Sequence, residues 1–199
     1  MSFYYILIFL IVYLICSINP AIIICKKKTG EDIRKLASGN AGSANAVRVL
    51  GKPLGALVII LDVLKVLLSY YIVTKISEIF KVNIDYIVNS IFILATVIGH
   101  GFPIYYKFKG GKGVIVGITA ALLINKNVAI CALIIGFIVF IITRICSLST
   151  LCGLVVYLVM SIVMMPEYIV SVLIASAIVL LKHRQSIQRL ITKQEWKLN

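Results

Sequence analysis

Residues 38–48 form the first of three polar segments whose residue types could bind an anion. Their run of Gly, Ser and Asn allows successive backbone N–H groups to point into one concavity. Ser43 or Asn40 could also cap a following helix, whose N-terminus carries partial positive charge. Arg48 adds a planar guanidinium that matches phosphate oxygens. The segment indicates phosphate binding, and the alternative is an ordinary turn with an arginine facing lipid headgroups.

The second polar segment, residues 99–113, combines a histidine and several lysines with a high density of glycine. Glycines permit close backbone approach, and Lys109 and Lys112 offer mobile cations to a phosphate. Anchoring of the lysines at the membrane surface is the alternative, as is a simple helix-end histidine at His100. The concentration of glycine at a membrane edge favours a functional loop.

The third polar segment, residues 183–195, lies in the basic C-terminal tail. It begins with His183 and ends with Glu195, and apolar residues recur between them at helical spacing. This pattern predicts a short helix within 182–199 that lies on the membrane surface.

Three further polar residues lie in or beside apolar runs. Asp62 and Lys65 are three positions apart, so their side chains can pair on one helix face. Charges at membrane depth are functional candidates, and a structural pair facing the bundle interior is the equal alternative. Ser147 directly precedes the sixth apolar run, near the basic residue Arg144.

Composition places these segments in a membrane protein. Of the 199 residues, 61% are hydrophobic and 14% are charged, and the mean hydropathy is +1.09. A soluble domain of this length would need more polar surface. The net charge of +13 would suggest nucleic acid in a soluble protein, but these basic residues lie in loops between apolar runs. Anionic membrane lipids are therefore the predicted partners, and nucleic acid is not.

Seven apolar runs predict an all-α polytopic membrane bundle, with residues 1–199 as a single domain. A full span needs about 20 apolar residues, with a range of about 17–25, and the fourth and seventh runs are the shortest on this measure. Five spans are the alternative if the fourth and fifth runs do not both cross. The runs are Phe3–Cys25, Leu54–Thr74, Ile84–His100, Val114–Ile124, Val128–Ile142, Leu148–Met165 and Tyr168–Leu181.

The basic residues predict the orientation. Sixteen of the 20 Lys and Arg residues lie in the tail or in the loops after the first, third and fifth runs. The alternate loops hold only Lys75, Lys81 and Lys126, and Lys65 lies within a run. Because basic loops stay in the cytoplasm, the N-terminus is predicted outside, and the C-terminus and all three polar segments inside. The expected location is the inner or plasma membrane.

Taken together, the three polar segments resemble the motifs of the bacterial acyl-phosphate:glycerol-3-phosphate acyltransferases (PlsY-type). Residues 32–48, 99–114 and 183–195 look like the three motifs in order, over most of the chain. The most specific match is Phe-Lys-Gly-Gly-Lys-Gly-Val at 108–114. The helices that carry Asp62 and Ser147 are also similar to helices of this family.

The resemblance implies transfer of a fatty acyl group from acyl phosphate to the 1-hydroxyl of glycerol 3-phosphate. The products would be lysophosphatidic acid and phosphate, in the first committed step of phospholipid synthesis. The catalytic residues implied are Ser38, Arg48, Lys109 and His183. The substrate-binding residues implied are Asn40, Asn45, His100, Gly110, Gly111, Lys112, Gly113, Ser147 and Ser186. The structural residues implied are Asp62, Lys65 and Glu195.

The chemistry of the implied substrates agrees with these residue types. Both substrates carry phosphate, so a site needs N–H groups and cations, and no metal or other cofactor is expected. An acyl phosphate is already activated, and no Ser-His-Asp arrangement or activated cysteine is evident, so no covalent intermediate is expected. The hypothesis is that the phosphate of the donor accepts the proton of the glycerol hydroxyl, as proposed for the family.

The sequence departs from the family pattern at several positions. Ser186 stands where the third motif usually has Asn, and a hydroxyl offers one donor where an amide offers two. Lys193 replaces a usual glycine, and residues 43–44 and 115–116 each differ from a usual Ala-Thr. The difference at Ser186 could weaken the enzyme but leaves the predicted reaction class unchanged.

Two other functions fit parts of the sequence. A transporter or channel for an anionic solute would need polar residues across the membrane, yet few besides Asp62 and Lys65 lie at mid-depth. A non-catalytic scaffold in a lipid-synthesis assembly is favoured only by Ser186. The expected partners are acyl phosphate, glycerol 3-phosphate and membrane lipids, and contact with other lipid-synthesis enzymes is left open.

Overall fold

The computed structural model of the protein describes residues 2–198, so Met1 and Asn199, at the ends of the predicted domain and tail, lie outside it. Over this range the chain is helical, with nine α-helices, short 3₁₀ turns and no strand. The predicted all-α class is confirmed. The helices are α1 (Ser2–Cys16), α2 (Pro20–Thr29), α3 (Ser43–Leu50), α4 (Lys52–Phe80), α5 (Tyr86–Gly101), α6 (Val114–Ile124), α7 (Lys126–Thr143), α8 (Cys146–Met164) and α9 (Ile169–Ile191).

Six stretches of the described chain are long and apolar enough to cross a membrane, so this is a multi-pass membrane protein. Helix α6 is also apolar but has only 11 residues, which reach about 16 Å across a hydrocarbon core about 30 Å thick. A crossing by α6 therefore stays a prediction. The six stretches are Phe3–Thr29, Lys52–Phe80, Tyr86–Tyr106, Lys126–Thr143, Cys146–Met164 and Pro166–Ile191.

The first apolar run is broken into two helices, α1 and α2, rather than continuous as predicted. Pro20 occupies the first turn of α2, where its missing N–H leaves no helical bond unmade. Asn19 caps α2 by accepting a hydrogen bond from the Ile22 N–H at 3.1 Å. The Asn19 amide also donates to the carbonyl of Ala41 at 3.1 Å, which ties the break to the first polar segment.

Glycines allow the closest helix pairs to form. A Cβ added to Gly99 of α5 would lie 2.6 Å from the carbonyl oxygen of Tyr13 in α1. A Cβ added to Gly153 of α8 would lie 2.9 Å from the carbonyl oxygen of Ala132 in α7. Small residues matter here because lipid surroundings give helices no hydrophobic reason to associate, so close packing must hold them together.

The predicted separate surface helix in the tail is wrong, because residues 182–191 continue α9 and turn one face toward the bundle. His183 and Ser186 are 1% and 0% exposed. Lys112, from a distant part of the chain, hydrogen-bonds to the buried Ser186. After α9 the chain turns back, and the N–H of Leu198 donates to the carbonyl of Arg144 at 2.9 Å.

Candidate active site

One cavity of about 610 Å³ brings parts of the three polar segments together. Lys65, Lys109, Gly110, Gly111 and Ser186 are not among its lining residues. Most of the residues predicted from the sequence do line it, namely Ser38, Asn40, Asn45, Arg48, Asp62, His100, Lys112, Gly113, Ser147, His183 and Glu195.

Three helices begin at the wall of this cavity. Side chains do not cap these N-termini, so the prediction that Ser43 or Asn40 caps α3 is wrong. The first N–H groups of a helix lack intrahelical partners and carry partial positive charge, so their convergence suits an anion. The N-terminal residues that line the cavity are Gly42 and Ser43 for α3, Gly113 and Val114 for α6, and Cys146 and Ser147 for α8.

Arg48 is held at the cavity by the C-terminal tail. Its guanidinium donates to the carbonyl of Trp196 at 3.4 Å and lies 5.8 Å from the centroid of the Trp196 ring. Its Nε is buried without a hydrogen-bond partner in the described chain. Burial lowers the pKa of Arg48 below its ordinary value. A half-buried cation with an unused donor is suited to receive an anionic oxygen.

Lys112 reaches from the second polar segment to the third. Its ammonium donates to the hydroxyl of Ser186 at 2.6 Å. Burial lowers the pKa of Lys112 to about 8, although the charge of Glu195 opposes this shift. The lysine is therefore cationic at neutral pH but close to its titration range.

Ser186 is the centre of a buried polar cluster in the third segment. Its hydroxyl also accepts a hydrogen bond from Arg189 at 3.0 Å, and Arg189 binds the carboxylate of Glu195. Ser147 donates to the same carboxylate at 2.9 Å. Burial alone would raise the pKa of Glu195, but the hydrogen bonds from Arg189 and Ser147 outweigh it and hold that pKa below its ordinary value.

Asn45 uses its side chain to shape the first polar segment. Its amide oxygen accepts from the Ser38 N–H at 3.0 Å. Its amide nitrogen donates to the carbonyls of Ile33 and Leu36 at 3.2 and 3.1 Å. These contacts hold the loop that presents Ser38 and Asn40 to the cavity, so Asn45 acts on the backbone of its own segment.

Arg34, which the sequence reasoning did not select, joins the first and second polar segments. It is bound by Asp32 at 2.6 Å and donates to the carbonyls of Tyr106 and Lys109 at 2.9 and 3.0 Å. The hydrogen bond from Arg34 is the main cause that lowers the pKa of Asp32. The Lys109 side chain itself is exposed and does not line the cavity.

Gly110 and Gly111 lie against the end of α5 rather than along the cavity. The Gly110 N–H donates to the carbonyl of Gly101 at 3.2 Å, and the Gly111 N–H donates to the carbonyl of His100 at 3.1 Å. A Cβ on Gly110 would collide with that His100 carbonyl, and one on Gly111 would collide with the His100 ring. The two glycines thus let the second segment fold closely enough for Lys112 and Gly113 to reach the cavity.

The cavity continues between apolar side chains of α5 to α9. None of these positions was selected from the sequence, because each reads as an ordinary lipid-facing or core residue. Their shared property is visible only once the helices are assembled around one space. Representatives are Ile93 and Val97 from α5, Ile118 and Ala121 from α6, Leu133 and Phe137 from α7, Leu154 and Tyr157 from α8, and Val172 and Ala175 from α9.

The family model described as Glycerol-3-phosphate acyltransferase matches residues 6–193 of the chain. The chain belongs to this family. Glycerol-3-phosphate acyltransferase 2 of Bacillus cereus (strain ATCC 10987 / NRS 248) is 37% identical over 194 residues, which are 97% of this chain and 94% of that protein. The glycerol-3-phosphate acyltransferase of Shewanella halifaxensis (strain HAW-EB4) is 30% identical over 187 residues, which are 94% and 91% of the two chains.

Solved structures of PlsY (YgiH), an integral membrane glycerol 3-phosphate acyltransferase, are also similar. The glycerol 3-phosphate form has a TM-score of 0.87 and 29% identity, over 98% of this chain and 96% of that one. The lysophosphatidic acid form has a TM-score of 0.82 and 28% identity, over 98% and 95%. The predicted membership of the PlsY-type acyltransferase family is confirmed.

Within this acyltransferase fold, sequence reasoning missed Arg34 and Arg189, the two arginines that bind neighbouring carboxylates. A signal existed for both, because Asp32 lies two residues before Arg34 and Glu195 lies six residues after Arg189. Charged surface residues give the same pattern, so the sequence could not separate these partly buried pairs from fully solvated ones.

Proposed function

We propose that the protein transfers a fatty acyl group from acyl phosphate to the 1-hydroxyl of glycerol 3-phosphate, giving lysophosphatidic acid and phosphate. The observation that carries the proposal is the joining, in one cavity, of an anion-binding part to an apolar part. Three uncapped helix N-termini, Arg48 and Lys112 suit phosphate, and the apolar walls suit a fatty chain. The names of the similar proteins support the glycerol 3-phosphate acceptor.

In the proposed reaction, the glycerol hydroxyl oxygen attacks the carbonyl carbon of the acyl phosphate. The bond from that carbon to the phosphate oxygen breaks, and the leaving phosphate carries away the hydroxyl proton. The protein supplies positioning and charge stabilisation, because Arg48, Lys112 and the helix N-termini can balance the negative charge of two phosphates. This scheme needs no covalent intermediate on the enzyme, because the donor is already activated. It also uses no metal or other cofactor.

Ser38 and His183 are the proposed polar contacts of the reacting groups. Ser38 lies in a loop whose backbone is held by Asn45, and His183 is buried against the cavity. A loop held at its backbone and a buried imidazole can hold a hydroxyl and a carbonyl in line with little loss of freedom on binding. The structure gives the exposed Lys109 no comparable position, so we assign the phosphate contact of the second segment to Lys112.

The proposed function requires a defined membrane topology of the chain. Residues 1–199 act as one domain with seven spans, α6 being the short one, in the inner or plasma membrane. The N-terminus lies outside, and the polar part of the cavity opens to the cytoplasm, where both phosphate substrates are made available. The basic loops on that side support this orientation. Contact with other lipid-synthesis enzymes there is part of the proposal.

An anion transporter is the second function considered for the same cavity. A transport route needs polar groups that continue through the membrane. The apolar lining between α5 and α9 favours a bound hydrocarbon chain over a dissolved anion.

The decisive experiment is an assay of the purified protein with palmitoyl phosphate and glycerol 3-phosphate, following phosphate release and lysophosphatidate by mass spectrometry. We expect turnover, with losses of about a hundredfold or more in Ser38→Ala and Arg48→Ala. The control is Lys107→Ala, at an exposed lysine outside the cavity. No turnover by the wild type, or full turnover by both site variants, would overturn the proposal. Comparable rates with palmitoyl-CoA would show that the donor class is wrong.

A further inference from the structure

Lys65 lies inside the bundle, 7% exposed, with a carbonyl, a carboxylate and an imidazole nitrogen around its ammonium. Its Nζ donates to the carbonyl of Ile18 at 2.8 Å, at the break between α1 and α2. It lies 2.7 Å from Oδ1 of Asp62 and 3.0 Å from Nδ1 of His100. An ammonium has three N–H donors and no lone pair. Lys65 can therefore only donate to the His100 ring, and Nδ1 must be the unprotonated nitrogen.

A protonated Nδ1 would need a different partner. Asp62 Oδ1 lies 3.6 Å from that nitrogen, which is too long for a hydrogen bond. The same carboxylate oxygen already pairs with Lys65 at the shorter distance. The contacts thus fit a neutral ring with its proton on Nε2.

The Nε2 atom lies where the first and second polar segments meet. A Cβ on Gly111 would collide with Nε2, and that Cβ would lie 2.7 Å from the carbonyl oxygen of Ala41. His100 lines the cavity beside both segments. The ring's hydrogen bond within the described chain is made through Nδ1, which leaves the Nε2–H group for a ligand.

We propose that Lys65, supported by Asp62, is a positioning residue that holds His100 as the Nε2–H tautomer, so that this N–H donates to a substrate phosphate oxygen. The proposal rests on the proposed acyl transfer for the identity of the phosphate. The buried ion pair of Asp62 and Lys65 then has a role in the site, because it sets which nitrogen of the His100 ring carries the proton. A hydrogen-bond partner on one ring nitrogen commonly decides the state of the other in this way.

His183 is held in the opposite tautomer. Its Nδ1 lies 2.8 Å from the carbonyl oxygen of Val179. A carbonyl only accepts hydrogen bonds, so Nδ1 carries the proton and Nε2 keeps its lone pair. The cavity is therefore lined by one imidazole that offers an N–H group, His100, and one that offers an acceptor, His183.

Nitrogen-15 NMR of protein labelled at its imidazoles tests the tautomers directly, because the chain has two histidines. We expect one ring protonated at Nε2 alone and one at Nδ1 alone, assigned to residues by the spectra of His100→Gln and His183→Gln. Titration with inorganic phosphate should shift the Nε2 signal of His100. A His100 ring protonated at Nδ1, or an Nε2 signal that phosphate does not move, would overturn the proposal whether or not the protein turns over acyl phosphate.

A kinetic comparison tests the role of the N–H group. The amide nitrogen of Gln can take the place of Nε2, whereas that of Asn takes the place of Nδ1. We expect His100→Gln to keep most activity and His100→Asn to lose about ten- to a hundredfold in kcat/KM, as for a lost hydrogen bond to a charged group. Equal activity of the two variants contradicts the proposal. If the wild-type protein shows no acyl transfer at all, the proposed function is rejected, but the tautomers measured by NMR are unaffected.

The double variant Asp62→Asn with Lys65→Met tests the positioning residue. Single substitution of Lys65 would leave a buried carboxylate unpaired and could prevent folding. The double variant removes both charges together, so we expect it to fold, to show both His100 tautomers by NMR, and to lose about tenfold or more in kcat/KM. A folded double variant with His100 still wholly in the Nε2–H form and full activity would exclude this role for Lys65.

Discussion

At the scale of single residues, Lys109 and Lys112 show how burial separates two side chains of the same type. They are three positions apart in the second polar segment. Lys112 is directed to Ser186 inside the site, whereas Lys109 is exposed and contributes its carbonyl to Arg34. The glycines between them make this possible, because they lie against α5 and let the chain turn inward at Lys112.

The lowered pKa of Lys112 predicts the pH dependence of the reaction. Lys112 is cationic below about 8 and neutral above it, so we expect kcat/KM for glycerol 3-phosphate to fall as the pH rises through this value, because a neutral amine no longer attracts phosphate. Lys112→Arg, which stays charged, should shift this decline to higher pH. Lys109→Ala is the control, and its kcat/KM should decline over the same pH range as that of the wild type. Initial rates between about pH 6 and 10 measure the effect, and an unchanged decline in Lys112→Arg would contradict the assignment.

Ser186 is predicted to be a working replacement for the asparagine usual in the family. It is fully buried and accepts hydrogen bonds from Lys112 and Arg189. Ser186→Ala leaves both cations without this acceptor, so we expect kcat/KM to fall about tenfold. Ser186→Asn keeps an acceptor oxygen and should remain active. The measurement is a comparison of steady-state rates for the wild type, Ser186→Ala and Ser186→Asn. Wild-type rates in Ser186→Ala would show that the hydroxyl is not needed.

At the scale of the elements, the sequence predicted which helices exist better than it predicted where they break and end. Each of the last six apolar runs corresponds to one helix, because apolar composition and membrane solvent fix helix existence. The break at Pro20 and the continuation of α9 past residue 182 were missed. The break has a local signal in the Asn19-Pro20 pair, to which the contact of Asn19 with Ala41 adds a distant partner. The continuation of α9 involves a residue far away in the chain, since Ser186 binds Lys112.

Close packing of α7 on α8 gives a stability prediction. A Cβ at Gly153 would press on a backbone carbonyl of α7 at 2.9 Å, so Gly153→Ala should lower stability by about 1–2 kcal/mol. The control is Gly101→Ala in α5, whose Cβ would meet side-chain atoms alone at ordinary contact distances, Lys182 at 3.5 Å and Ile178 at 3.8 Å. Thermal unfolding in detergent compares the two variants. A Gly153→Ala protein at least as stable as Gly101→Ala would show that the helix pair relaxes without cost.

At the scale of the whole molecule, the apolar part of the cavity predicts the choice of acyl chain. Ala121 lines the cavity and is 4% exposed, so Ala121→Phe should fill part of the space for a long chain. We expect kcat/KM to fall for palmitoyl phosphate relative to a shorter acyl phosphate. Ile130→Phe is the control, at a 43% exposed position on α7 outside the lining. If competition assays give Ala121→Phe and the wild type equal chain preferences, the acyl chain lies elsewhere.

The sequence by itself determined the membrane environment, the all-helical class and the residue types for phosphate chemistry, because composition and local spacing carry that information. Most of the residues that it selected line the cavity, among them Ser38, Arg48 and His183. The tertiary structure alone decided that Lys112 rather than Lys109 reaches the site, that Asn45 braces its own loop, and that Lys65 meets His100. These contacts join segments far apart in the chain, and only packing brings such segments within hydrogen-bond distance.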